Sequence, residues 1–226
     1  MATFVAVHGA WVGGWYWRQV ACLLRAAGHG VFTPTLTGLG ERVHLIDPRV
    51  DLATHVEDIA NVLRYEDLRD VVLVGHSYAG MVITGVAERV PERLARLVYL
   101  DAFVPGDGQA LADLIPPDVL EWFVERARTM GDGWRIPHDP PDEDRRTDFT
   151  LAALLQPLVV RSPEAAELPR AYVACLESRD VPLFAHFADA AARARREGWT
   201  YCELPTDHMP METMPNELAE TLLSFA

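Results

Sequence analysis

The chain has 226 residues, 50% of them hydrophobic and 23% charged, which is the range of one large globular domain with a core of its own. Its net charge of −13 argues against nucleic acid and anionic membrane surfaces as partners. The 3 cysteines (Cys22, Cys175 and Cys202) are odd in number and widely spaced, which excludes a disulfide framework and a cysteine metal site.

From the N terminus, Thr3-Phe4-Val5-Ala6-Val7 is a first strand that ends at His8-Gly9-Ala10-Trp11, where Gly13 and Gly14 keep the loop tight. Trp15 to Ala27 has helical spacing, with Trp17, Val20, Leu23 and Leu24 on one face and Gly28 as its C-cap. Gly30 to Pro34 is a second short strand, and Leu36 to Val50 is a loop. Asp51 to Arg64 is the next helix, presenting Val56, Ile59, Ala60 and Leu63 on one side.

The most informative stretch follows. Val71-Val72-Leu73-Val74 is an apolar, mostly β-branched run that leads straight into Gly75-His76-Ser77-Tyr78-Ala79-Gly80. Helical spacing resumes from Met81 to Val90 and stops at Pro91. A buried strand, one tight turn and a helix are the setting of a nucleophile elbow, in which the turn strains the Ser77 backbone and lifts its hydroxyl above the sheet. Gly75 and Ala79 are small because strand and helix approach closely there. Leu94 to Leu100 is another apolar strand, ending at Asp101.

The alternation then breaks. Ala102 to Pro169 is rich in Pro, Gly and acidic residues, with Pro116-Pro117 and Pro140-Pro141 as breakers and helical pieces near Leu120 to Arg128 and Leu151 to Leu155. It is too long for a loop and too short for a domain, so it reads as a cap over the sheet. Phe103, Leu114, Trp122, Phe123, Trp134 and Phe149 are candidates to line a pocket beneath it, and the acidic run Asp139 to Asp148 reads as a solvated face or lid. Arg170 to Cys175 is a strand, Pro182 to Arg196 a helix, Trp199 to Leu204 the last strand and Asn216 to Phe225 the last helix. The expected organisation is a core over 1–102, a cap over 103–169 and the rest of the core over 170–226. The fold class is α/β, a mostly parallel sheet of about six strands with helices on both faces and a small cap.

In such sheets chemistry gathers at the carboxyl ends of the strands. That rule lines up Ala10, Ser77, Asp101 and the loops after Cys175 and Leu204 along one edge. A serine nucleophile needs a base, and His208, in Pro205-Thr206-Asp207-His208-Met209 just past the last strand, is the candidate. His76 adjoins Ser77, but the turn is expected to aim its ring elsewhere. His8 is expected to shape its loop, and His29, His44, His55, His138 and His186 read as structural or solvent-facing. The oxyanion donors are expected to be the backbone N–H groups of Tyr78 and Ala10. Trp11, with Trp122 and Trp134 of the cap, are candidate substrate contacts. Nothing in the pattern calls for a metal or a cofactor.

Phe4-Val5-Ala6-Val7-His8-Gly9-Ala10-Trp11, Thr35-Leu36-Thr37-Gly38-Leu39-Gly40-Glu41-Arg42, Gly75-His76-Ser77-Tyr78-Ala79-Gly80-Met81-Val82 and Asp207-His208-Met209 resemble the α/β-hydrolase superfamily, in the branch of plant methyl esterases, hydroxynitrile lyases and their bacterial relatives. The resemblance runs from about Thr3 to the C terminus and is weakest across the cap. It implies Ser77 as nucleophile, His208 as base, and Ala10 and Tyr78 as the oxyanion hole. Three departures bear on activity. The lyases carry Thr where this chain has Gly9, and Lys where it has Met209; losing the Lys that helps hold cyanide favours ester hydrolysis. The family's acid, normally in a Cys-x-x-Asp pattern, falls on Ser178 here, within Cys175-Leu176-Glu177-Ser178-Arg179-Asp180. Asp101, Asp180 and Glu177 are the possible substitutes, with Asp101 preferred because a strand end holds a side chain better than a loop.

The expected function is a cofactor-free serine hydrolase that cleaves a small or medium apolar carboxylic ester through an acyl-enzyme, with Ser77, His208 and Asp101 as the triad. Two rivals stay open: a lyase, elimination or cyclisation enzyme of secondary metabolism on the same fold, and a non-catalytic ligand receptor. The expected partner is a small-molecule ester, with a homodimer as the expected assembly and no membrane or nucleic acid. The cysteines lie among apolar residues and read as buried free thiols of a reducing compartment, and Met1-Ala2-Thr3 enters a strand without a leader pattern, so the expected location is cytoplasmic. All 20 basic residues are Arg, which with the many Ala suggests a GC-rich bacterial genome.

Overall fold

A computed structural model of the chain describes residues 1–138 and 145–226, with the backbone alone at Arg179, Asp180, Pro182 and Ala185. Most of the acidic run, including Pro140-Pro141, therefore lies outside the described residues. The core elements are β1 (Thr3–Val7), α1 (Arg18–Ala26), β2 (Gly30–Phe32), α2 (Leu52–Tyr65), β3 (Val71–His76), α3 (Ala79–Arg89) and β4 (Leu94–Leu100). After β4 come α4 (Pro117–Met130), a short antiparallel pair β5 (Arg135–Ile136) and β6 (Phe149–Thr150), α5 (Leu151–Leu155) and α6 (Pro163–Glu167). The chain then returns to the core with β7 (Arg170–Cys175), α7 (Ala185–Arg196), β8 (Thr200–Leu204), α8 (Pro210–Thr213) and α9 (Pro215–Leu223).

Six strands form one sheet in the order β2-β1-β3-β4-β7-β8, and every neighbouring pair is parallel. The period of two along each strand divides the core in two. Val5, Val7, Leu73, Leu97, Tyr99 and Tyr172 pack toward α2, α3 and α7 on one face. Phe4, Ala6, Val72, Val74, Val98, Leu100 and Val173 pack toward α1 and α9 on the other. β3 is buried along its whole length, which explains why its sequence is an unbroken apolar run rather than an alternating one.

The structure sharpens several expected boundaries. The segment expected as one helix from Trp15 opens as a 3₁₀ turn over Gly14–Trp17, and the Leu36 to Val50 loop carries a 3₁₀ turn over Gly40–Leu45. α2 starts one residue after Asp51, whose carboxylate accepts the Thr54 N–H as an N-cap. The β5–β6 pair is absent from the sequence reading, because two-residue strands carry too few residues for a periodic signal. Of the thiols expected to be buried, Cys175 is buried, Cys202 is half-buried and Cys22 is exposed. α1 buries Val20, Ala21 and Leu24 against the sheet, and Cys22 falls off that stripe.

Candidate active site

The turn between β3 and α3 is as tight as its glycines imply. Ser77 sits at φ 57, in the left-handed region that a side chain rarely adopts. A Cβ at Gly75 would lie 2.7 Å from the Ala79 carbonyl oxygen, and one at Gly80 would lie 2.0 Å from that of Phe103. Gly80 is thus as necessary as Gly75, since it lets α3 press against the chain leaving β4. The Ser77 N–H donates to the Leu100 carbonyl (3.3 Å), and the Ser77 carbonyl accepts from the N–H groups of Gly80 (3.1 Å) and Phe103 (3.2 Å). Trp11 (φ 62) and Asp101 (φ 41) are also left-handed, so the ends of three neighbouring strands, β1, β3 and β4, each carry a strained non-glycine residue. Strain of this kind costs about 1–3 kcal/mol per residue and persists where surrounding structure enforces it.

His208 follows β8 and reaches back over the sheet. Its Nδ1 lies 2.8 Å from Asp101 Oδ2. A carboxylate only accepts, so Nδ1 carries the proton and Nε2 keeps the lone pair. Asp101 is 1% exposed, and its Oδ1 accepts the Cys175 N–H at 3.1 Å. The His208 ring is packed between Phe184 (4.1 Å between centroids) and His76 (4.5 Å), with Phe187 at 5.3 Å. Of the other two carboxylates weighed as the acid, Glu177 is exposed, and the Asp180 side chain lies outside the described residues.

His76 departs from expectation. Its ring turns back toward His208, and Nε2–H donates to the His208 carbonyl at 2.8 Å. The deciding contact is made 132 residues away in sequence, which no local turn rule contains. His8 does shape its loop: Nε2 accepts the Leu36 N–H (3.0 Å), so Nδ1–H donates to the Gly9 carbonyl (2.8 Å). His55 Nε2–H donates to the Thr37 carbonyl (3.0 Å), and its Nδ1 accepts the Tyr78 hydroxyl (2.8 Å). Tyr78 is thereby locked beneath the site with its hydroxyl already engaged. Among the described residues, the N–H groups of Ala10 and Tyr78 have no backbone acceptor in the turns and loops.

Burial dominates the protonation of these histidines. It lowers His8 from 6.5 to about 4, holds His55 below its ordinary value, and holds His76 well below it, where the neighbouring His208 adds to the effect. Burial, and then the Asp101 charge, push the Cys175 thiol up, so it stays protonated. Groups depressed in the fold bind protons more readily when unfolded. Their stabilisation is complete above the unfolded value near 6.5 and is lost as pH falls toward the folded value. His8 contributes about 3 kcal/mol by this route. The thermal midpoint is therefore expected to fall as pH drops from about 6.5 toward 4, and a midpoint that stays level over that range would contradict the assignment.

A cavity of about 280 Å³ opens at this edge of the sheet, with Ser77, His208, Ala10 and Tyr78 in its wall. Trp11, Phe103, Trp122, Phe123 and Phe184 make it strongly aromatic. The Trp11 indole N–H donates to the Ile136 carbonyl (2.9 Å), and its carbonyl accepts the Thr147 N–H (2.9 Å), which ties the loop after β1 to the segment above. Other expected pocket residues lie elsewhere. Trp134 is outside the cavity wall and carries the Arg135 guanidinium over its ring (5.5 Å). Leu114 and Phe149 are buried core, with Phe149 packed under Tyr78 and Trp11. Leu183 and Phe184, in a 3₁₀ turn at the start of the segment expected as a helix, and Arg146 and His138 also line the wall, which the periodic pattern does not indicate.

A family model described as "Alpha/beta hydrolase family" matches residues 4–221. The chain is 41% identical, over the full length of both proteins, to a carbendazim hydrolyzing esterase of Nocardioides sp. (strain SG-4G). It is 25% identical to Methylesterase 1 of Arabidopsis thaliana, covering 99% of this chain and 95% of that one. Among solved structures, an extracellular alpha/beta-hydrolase from a Paenibacillus species superposes with a TM-score of 0.81 at 25% identity, covering 99% of this chain and 98% of that one. That protein is described as sharing structural and functional homology with tobacco Salicylic Acid Binding Protein 2.

The extracellular relative overturns the expected cytoplasmic location. Unpaired thiols report where side chains sit and not which compartment surrounds them. Among the described residues, no helix is long and apolar enough to cross a membrane. The matches make the chain a hydrolase of the serine esterase type acting on a small ester. With the model covering nearly its whole length, this chain belongs to the alpha/beta hydrolase family.

Proposed function

We propose that Ser77, His208 and Asp101 form the catalytic triad of this esterase, and that its substrate is a small ester with a flat aromatic or otherwise apolar group. The observation that carries the reading is the 2.8 Å bond from His208 Nδ1–H to the buried Asp101 carboxylate, beside a cavity that Ser77 and His208 both line. His208 Nε2 takes the Ser77 proton as Oγ attacks the carbonyl carbon. The oxyanion is received by the N–H groups of Ala10 and Tyr78. His208 then protonates the departing alcohol, and water hydrolyses the acyl-enzyme by the same proton path.

The substrate class follows from the walls. Ligand pockets commonly span about 300–1,000 Å³, so 280 Å³ supports a small substrate. Trp11, Trp122, Phe123 and Phe184 suit the faces of a planar group. The segment 103–169 acts as the cap in this reading, with 1–102 and 170–226 as the core. The net charge of −13 supports the absence of a nucleic-acid partner. Assembly as a homodimer would bury the exposed Trp122 and Val124 of α4, and light scattering measures it directly. The displaced acid was the support for the elimination or cyclisation alternative, and the carboxylate bonded to His208 favours the hydrolase reading over it.

Incubation with a fluorophosphonate is expected to add one probe mass to the parent protein and none to Ser77→Ala. A screen of methyl esters of aromatic acids, with carbendazim included because of the full-length relative, reads the substrate class. No adduct under conditions that label an ordinary esterase would sink the proposal.

A further inference from the structure

Two neighbouring strand ends converge on the His208 ring. β4 and β7 run parallel with Leu100 opposite Val173, and the Asp101 N–H donates to the Val173 carbonyl at 2.7 Å. The Asp101 carboxylate comes from the β4 end. From the turn after β7 comes Ser178, which is 2% exposed. Its Oγ lies 2.8 Å from Asp101 Oδ2 and 2.8 Å from the Cys175 carbonyl oxygen. Both partners only accept, so the hydroxyl proton is the one hydrogen between them. Oδ2 is also the oxygen that takes His208 Nδ1–H, while Oδ1 takes the Cys175 N–H.

We propose that Ser178 is a positioning residue for the triad, which holds the Asp101 carboxylate oriented toward the His208 ring. This rests on the reading of Asp101 as the acid. A buried carboxylate tolerates its desolvation only where donors meet it. Here the donors also set its angle: Cys175 N–H anchors one oxygen, and Ser178 steadies the one that faces His208. Without the hydroxyl, the carboxylate can turn about its last bond and carry Oδ2 away from Nδ1. The titratable and charged groups around His208 are Asp101 from β4, His76 from β3 and the adjoining Asp207, with the Cys175 thiol beside the carboxylate and His138 and Arg146 in the same cavity wall.

The test compares Ser178→Ala, Ser178→Thr and Asp101→Asn as full chains. Each is checked for folding by circular dichroism and thermal melting, then assayed on p-nitrophenyl acetate for kcat, KM and the pH profile of kcat/KM. Ser178→Ala is expected to lose about 10- to 100-fold in kcat at unchanged KM, the worth of a hydrogen bond to a charged group. Its acidic limb should move to higher pH, because Oδ2 with one donor fewer holds the His208 proton more tightly. Ser178→Thr keeps the hydroxyl and should restore both.

A Ser178→Ala variant with parental kcat and limb overturns the proposal, and so does a kcat loss with an unmoved limb that Thr does not rescue, which marks packing alone. In each of those cases a crippled Asp101→Asn leaves the triad reading standing. An active Asp101→Asn removes the triad reading itself.

Discussion

Ser77→Ala is expected to lower kcat by about 10⁶-fold with little change in KM, the scale seen when a triad serine is removed. In the proposed mechanism the loss is large because Oγ is the atom that bonds to the substrate, and among the described residues no neighbouring nucleophile replaces it. The cavity wall holds no Cys, and the nearby Cys175 is a buried thiol pushed toward its protonated form. KM should hold, because the aromatic walls and the N–H groups of Ala10 and Tyr78 are untouched. Stability should rise slightly or stay level. Ser77 is left-handed, but Ala bears the same Cβ, and the hydroxyl has no hydrogen-bond partner among the described residues to lose. Steady-state kinetics on p-nitrophenyl acetate with a thermal melt check both halves. A variant within about tenfold of the parent would show that another group forms the bond.

The second large effect is expected from Asp101→Asn, at about 10⁴-fold in kcat. The carboxylate receives three donors: Cys175 N–H on one oxygen, and Ser178 O–H and His208 Nδ1–H on the other. An amide offers one oxygen and one NH₂. With its oxygen toward Cys175, the NH₂ meets His208 Nδ1 and forces the proton to Nε2, which then cannot take the Ser77 proton. With its oxygen toward His208, the NH₂ opposes the Cys175 N–H and leaves two buried donors facing each other, a cost of about 1–3 kcal/mol. The variant should thus be both slower and less stable. Measuring kcat against pH beside the melting midpoint separates the two. Activity near the parental level would move the acid role to another carboxylate.

The legible part of this protein was local. Three of the six core strands have the observed limits when read from apolar runs alone, Thr3–Val7, Leu94–Leu100 and Arg170–Cys175, and the elbow strand has its observed start at Val71. β-branched runs between turn residues carry their own signal, and a parallel sheet follows once helices alternate with them. Ser77 was legible for the same reason, since strain, small neighbours and a following helix all lie within ten residues of it. His208 was legible from its place after the last strand.

What only the tertiary structure decided lies between segments far apart in sequence. Asp101 and His208 are 107 residues apart, and which of several carboxylates meets the imidazole is a matter of which strand ends lie side by side. Ser178 looked like a vacancy in a pattern and proves to be a hydroxyl on that carboxylate. His76 was expected to point away because a turn rule sees only its own residues, whereas the His208 carbonyl offers its Nε2–H a buried acceptor. Trp134 and Trp122 look alike in composition, yet one lines the cavity and the other packs under Arg135, since cap geometry depends on packing and not on period. Sequence by itself determined the strands, the elbow and the edge where chemistry gathers, because those follow from short-range sterics and burial. Which carboxylate meets His208, its hydroxyl partner and the shape of the pocket were set by the fold, because hydrogen bonds to buried groups are chosen by distance in space.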